Sequence, residues 1–275
     1  MHVRLKALPQ TEFQSNFLDP MAVKRRLNPL WFAFECFSMC VGLGLFALIC
    51  LGSVPVFLTM YLLVPKRLHR PASRWLISRG FRAYLLALRA ICLVSVEASA
   101  LVQLKRDKLI IVANHPSLLD AVILFAYFPN ACCVLKAGLL KNVLFGVGAR
   151  MAGYISNEDA GTMMIEARRE LSLGGQLIIF PESGRTRSFP VSDFSAASCL
   201  VSKVTQTPIQ CVFFDFSTPY LGKYWGLFTP PILPLRIGVR VGQQLGPVAH
   251  AAAASHDLEN YYRNEVRTPW IDQTP

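Results

Sequence analysis

The longest feature in the hydrophobic pattern comes early: from Cys36 to Pro65 the chain carries no charged residue. As one helix this run would extend roughly 45 Å, past the roughly 30 Å of a bilayer's hydrocarbon layer. Pro55, with Gly52 and Ser53 before it, predicts a break into a longer and a shorter arm. Basic residues stand at both ends, Lys24 to Arg26 before and Lys66 to Arg70 after. Charge therefore leaves a single span and a re-entrant hairpin as open alternatives, and either would be an anchor. A core helix of a soluble protein rarely runs past about 20 residues without a polar face.

Residues 72–92 follow with helical periodicity. Arg79, Arg82 and Arg89 fall on one side of the wheel, and Leu76, Ile77, Phe81, Leu88 and Ile91 fall mostly opposite, the pattern of a basic helix at a membrane interface. From about residue 93 short apolar runs alternate with helical stretches, which predicts an α/β domain. Strands are expected at Leu93 to Leu104, Leu109 to Ala113, Ala131 to Leu135, Gln176 to Phe180, Pro208 to Phe214 and Leu235 to Val241. Helices are expected near 117–127, 138–150, 159–173 and 192–204. Ala249 to Ala254 reads as a linker before a last helix around His256 to Arg267. The expected organisation is a polar lead-in (1–35), an anchor (36–70), an interfacial helix (71–92), a catalytic domain with a mixed central sheet flanked by helices (93–248) and a C-terminal helix and tail (249–275).

Composition sharpens this picture. Of 275 residues 53% are hydrophobic and only 16% charged, against roughly a quarter charged in soluble domains. The net charge of +11 asks for an anionic partner. Lys66, Arg67, Arg70, Arg74, Arg79, Arg82 and Arg89 all follow directly on the apolar run, and no zinc-finger or RNP-like spacing is present, so an anionic bilayer ranks ahead of nucleic acid. The eight cysteines form no C-x-x-C pair and mostly sit in apolar runs, which suits small buried side chains in a reducing compartment.

Two apolar strands end in polar turns, where α/β active sites sit. The first turn is Asn114-His115-Pro116-Ser117-Leu118-Leu119-Asp120. Histidine is the side chain suited to take a proton from a hydroxyl near neutral pH. Asp120 can hold the imidazole only if His115 lies in the turn and Asp120 in the first turn of the next helix. Ser117 to Asp120 is also a capping box, so a purely structural reading stays open. The second turn, Phe180-Pro-Glu-Ser-Gly-Arg-Thr-Arg187, gathers Glu182, Arg185 and Arg187 around Gly184, a plausible clamp for phosphate.

Together these turns resemble the boxes of the glycerophospholipid acyltransferase family, relatives of bacterial 1-acyl-glycerol-3-phosphate acyltransferase. Asn114, His115 and Asp120 match its N-H-x-x-x-x-D box, and Phe180, Pro181, Glu182 and Arg185 match its F-P-E-G-T-R box. The resemblance covers roughly residues 93–245. It implies an O-acyltransferase of phospholipid biosynthesis in which His115, oriented by Asp120, activates an acceptor hydroxyl against the thioester of acyl-CoA or an acyl carrier protein. It further implies that Glu182, Arg185 and Lys136 hold the substrate; Arg187, Asn114 and Gly184, from their places in the two turns, complete the expected substrate-binding set. No metal and no cofactor beyond the thioester co-substrate are implied, and a bacterial inner membrane with the catalytic domain on the cytoplasmic face is the expected location. The chain departs from the pattern at Asn157, where the family carries arginine, and at Ser183 and Gly184, which replace glycine and threonine. A different lipid acceptor is therefore an alternative to lysophosphatidate. A serine acyl hydrolase using Ser117 or Ser183 and a non-catalytic membrane module are the readings from other classes.

Overall fold

A computed structural model describes residues 28–104, 108–142, 145–226 and 228–266. The basic cluster Lys24 to Arg26 lies outside them. Two long helices lead: α1 (Pro29–Leu63) and α2 (Lys66–Ile91). The domain then runs β1 (Val94–Glu97), α3 (Ser99–Val102), β2 (Leu109–Ala113), α4 (Leu118–Tyr127), β3 (Ala131–Leu135), α5 (Ala137–Leu140), α6 (Gly146–Met151) and β4 (Ile155–Ser156). It continues with α7 (Ala160–Ser172), β5 (Gln176–Ile179), α8 (Ala197–Thr205), β6 (Ile209–Phe216), β7 (Leu235–Leu245) and α9 (Ala251–Glu265).

The strands form one mixed sheet in the order β1-β7-β6-β2-β5-β3-β4, parallel except where β7 meets β6. Every residue of β2 and β5 is buried, as expected of central strands covered on both faces. The chain passes from β2 to β3 in one direction across the sheet and from β5 to β6 in the other. Right-handed crossovers then put α4 and α8 on opposite faces, and a crevice opens at the carboxyl ends of β2 and β5. That crevice is where both polar turns emerge.

The apolar segment differs from the expectation. It starts at Pro29, capped by the Asn28 side chain, and runs through Pro55 as one helix to Leu63. Two hydroxyls flank the proline, Ser53 donating to the Cys50 carbonyl (2.8 Å) and Thr59 to that of Pro55 (2.9 Å), and neither takes up the Leu51 carbonyl that the missing proline N–H leaves free. The helix is long and apolar enough to cross a membrane. One stripe of it, Glu35, Ser38, Met39, Gly42, Cys50 and Phe57, is buried against the rest of the protein. Gly42 lies under Leu88 and accepts from the Tyr84 hydroxyl, and Phe57 covers Gly148. The other faces leave Phe37, Leu48, Leu51, Leu58 and Leu62 exposed.

The basic run on α2 is also divided. Lys66, Arg67, Arg70, Arg79 and Arg89 are exposed, but Arg74 is buried in an ion pair with Glu170 of α7 and donates to the carbonyls of Ala152 and Asn130. Arg82 donates to the carbonyl of Ala126. Those two arginines hold α2 on the domain instead of facing lipid.

Smaller differences have local causes. The expected strand Leu93 to Leu104 ends at Glu97 and turns into α3, because an unbroken apolar run does not distinguish strand from helix. Gly146 sits against the Leu140 carbonyl, so the expected helix 138–150 is two short ones. The expected alanine linker is helical from Ala251, in keeping with alanine's propensity. All eight cysteines are free thiols. Burial pushes the thiols of Cys132 and Cys211 up to about 12, so they are inert packing groups.

Candidate active site

His115 follows β2 directly, and its position is fixed from four sides. Asn114 is fully buried and brackets β6, its amide donating to the Phe214 carbonyl (3.0 Å) and accepting from the Phe214 N–H (2.8 Å). The backbone N–H of His115 donates to Glu182 Oε1 (2.9 Å), and its carbonyl accepts from Thr186 N–H (2.7 Å). The imidazole stacks on Phe180, with ring centroids 4.1 Å apart. Its Nδ1 lies 2.8 Å from Asp120 Oδ1. Among the described residues that is the ring's one hydrogen bond, and Nε2 has no partner among them. The side chain is 14% exposed and its carboxylate partner is fully buried.

Asp120 does two things at once. Its Oδ2 accepts from Ser117 N–H (3.0 Å) and its Oδ1 from Ala121 N–H (2.6 Å), completing a capping box with Ser117 at the start of α4. The structural and chemical readings of the box are therefore one arrangement. The cap fixes the carboxylate, and the carboxylate fixes the ring.

The second turn braces the first. Glu182 is buried and its carboxylate accepts from His115 N–H, the Thr186 hydroxyl (2.9 Å) and Ser192 N–H (2.8 Å). Burial pushes its carboxyl above the ordinary value, against the pull of these donors. Arg185 donates from Nη1 to the carbonyls of Leu221 (3.0 Å) and Gly222 (2.7 Å) in the β6–β7 connection. Burial lowers its pKa, while the charge of Asp120 acts the other way. Lys136, at the end of β3, is exposed and reaches across Gly184, where an added Cβ would lie 3.0 Å from its Nζ. Arg187 is exposed at the rim. Of the expected substrate-site residues, then, Lys136, Arg187 and the free part of Arg185 offer cationic groups near the crevice. Asn114 and Glu182 are taken up in holding His115, and Gly184 makes room for Lys136.

Residues 95–215 match the family model described as Acyltransferase. The match spans both boxes and the sheet from β1 almost to the end of β6. The fold of the chain is similar to the crystal structure of the 1-acyl-sn-glycerophosphate (LPA) acyltransferase PlsC from Thermotoga maritima. The TM-score is 0.57 at 18% sequence identity, over 84% of this chain and 95% of that one. No curated protein was found to match the chain.

The two departures from the family pattern also have places. Asn157 is exposed just after β4, its N–H on the Leu135 carbonyl (2.9 Å). Ser183 adopts φ +54°, in the left-handed region that glycine enters without cost and a side chain does not. Ser183→Gly is therefore expected to stabilise the protein by about 1 kcal/mol, less the extra chain entropy glycine brings. A rise in thermal midpoint with unchanged activity would bear this out, and a fall would contradict it.

Some parts of the site were not read from the sequence. Phe180 appeared as the last residue of a strand and the first of the second box, and its stacking under His115 has no linear signature. Glu35 looked like the last residue of the lead-in, yet it is fully buried in α1 and accepts the N–H of Leu233 (3.0 Å), 198 residues away.

Proposed function

We propose that the protein is a membrane-anchored O-acyltransferase that moves a fatty acyl group from acyl-CoA or an acyl carrier protein to the hydroxyl of a lysophosphatidate-like lipid. The observation that carries the reading is the buried Asp120 carboxylate 2.8 Å from His115 Nδ1, with Nε2 left open to the crevice. In that arrangement Nδ1 keeps its proton toward Asp120, and Nε2 takes the proton of the acceptor hydroxyl. The oxygen attacks the thioester carbonyl and the C–S bond breaks. The departing thiolate recovers a proton from Nε2, which restores the neutral ring. No acyl-enzyme forms.

Lys136, Arg185 and Arg187 supply positive charge for the acceptor's phosphate or the donor's phosphates. Helix α1 is the anchor, its exposed apolar faces in lipid. A bacterial inner membrane with the catalytic domain on the cytoplasmic face suits the free cysteines. The serine hydrolase alternative loses its nearest nucleophile, because Ser117 is buried and its hydroxyl accepts the Leu119 N–H (3.2 Å) as a helix cap.

The test offers purified protein acyl-CoA or acyl carrier protein with either lysophosphatidate or a mixed lysolipid extract. Phosphatidate from the defined acceptor is the expected product. A product from the extract alone would keep the chemistry and replace the acceptor, and thioester hydrolysis without any acylated lipid would overturn the proposal.

A further inference from the structure

Residues 217–234 connect β6 to β7, two neighbouring antiparallel strands that a turn of a few residues could join. The long connection leaves from the carboxyl end of β6, which is parallel to β2, and so it stands at the same end of the sheet as His115. It is firmly held. The Thr218 hydroxyl donates to the Ile232 carbonyl (2.9 Å) across its neck. Arg185 holds the Leu221 and Gly222 carbonyls, and a Cβ added at Gly222 would lie 3.4 Å from the Pro116 carbonyl oxygen, next to the catalytic turn. Glu35 of α1 holds Leu233, and the Trp225 indole closes the tip on the Thr229 carbonyl (2.9 Å).

What this braced loop presents outward is apolar: Phe228 is 81% exposed and Tyr224 61%, with Lys223 beside them. A large aromatic ring held in water on a fixed loop calls for a partner when it continues a larger apolar surface. Such a surface is at hand, because the Glu35 bond ties the loop to the first turns of α1, where Leu30, Phe32 and Phe37 are exposed as well. Tyrosine and lysine beside phenylalanine is the composition that sits well at a bilayer's headgroup level, rings toward the acyl chains and the ammonium at phosphates.

We propose that the 217–234 connection is a second membrane contact, in which Tyr224 and Phe228 enter the bilayer interface beside α1 and turn the crevice over His115 toward the lipid surface. The proposal rests on the reading of α1 as a membrane anchor. It gives the connection's length a purpose: an acceptor lipid rises from the interface past this loop to the imidazole.

The direct test places a fluorophore at the tip. The full-length Phe228→Trp variant and the unaltered chain are reconstituted in vesicles of three parts phosphatidylcholine to one part phosphatidylglycerol, the phosphatidylcholine being brominated near the glycerol end of its chains. The extra emission of the variant is expected to be quenched relative to unbrominated vesicles. If the chain floats with the vesicles and the extra emission stays unquenched, the contact does not exist; if the chain does not float, the anchor falls and the proposal with it. Quenching in a chain that transfers no acyl group would support the contact and sink only the functional reading. In the same vesicles, Tyr224→Ser with Phe228→Ser is expected to lower kcat/KM on bilayer-embedded lysolipid about tenfold, the scale of exposing two interfacial rings, and to spare a short-chain soluble acceptor. Equal loss on both acceptors would make the loop a wall of the catalytic crevice and overturn the proposal.

Discussion

Asp120→Asn is expected to lower acyl transfer by about 10²–10⁴-fold, the range a positioned general base contributes, with only a modest loss of stability. The asparagine oxygen can still accept the Ser117 N–H that Asp120 Oδ2 accepts at 3.0 Å, so most of the cap on α4 survives. It cannot hold His115 Nδ1–H with a charge, and the amide NH2 turned toward the ring would favour the tautomer whose proton sits on Nε2, where the acceptor's proton must go. Ser117→Ala is the matching control, since its hydroxyl accepts the Leu119 N–H and does not touch the ring. That change should cost about 1 kcal/mol of stability and leave kcat within a few-fold. If Ser117→Ala were as inactive as Asp120→Asn, the carboxylate would matter as a cap and not as the partner of a base.

The largest effect on stability is expected far from the chemistry. Glu170→Ala should destabilise the fold by about 3–5 kcal/mol, because it leaves the buried guanidinium of Arg74 without its counter-charge. Burial works against that charge, and the bond and field of Glu170 more than compensate, holding the Arg74 pKa above its ordinary value. Arg70 stands 3.8 Å from the same carboxylate and is nearly half exposed, so it adds little by itself. Glu170→Gln keeps an acceptor for Arg74 and should lose less. A drop in thermal midpoint for the alanine variant no greater than that of an exposed substitution such as Glu158→Ala would contradict this account of how α2 is fastened to the domain.

The comparison of Arg74 with Arg79 shows what the sequence leaves undecided. Both belong to the basic run after the apolar segment, and their place in that run gives each a claim on a lipid surface. Arg79 is exposed and stacks over Trp75, whereas Arg74 enters the protein because Glu170 waits there, and a partner so distant in sequence leaves no local pattern. Pro55 misleads for another reason: proline removes one backbone hydrogen bond and costs a helix stability, and a helix with one stripe packed on the domain can carry that cost. The central strands were legible because burial on both faces makes them continuous apolar runs, and the two boxes were legible because polar turns stand out at the ends of such runs. That Glu182 would turn back to hold the His115 backbone was not, since a carboxylate beside two arginines reads as a partner for substrate until its three hydrogen bonds are seen.

One measurement tests the central claim most directly. Wild type and His115→Ala, each reconstituted in vesicles containing lysophosphatidate, are given acyl-CoA, and thiol release and acylated lipid are followed together. The account predicts one acylated lipid per thiol released by wild type, and for a folded His115→Ala protein a loss of both by at least about 10²-fold. Transfer at the wild-type rate by His115→Ala would contradict it.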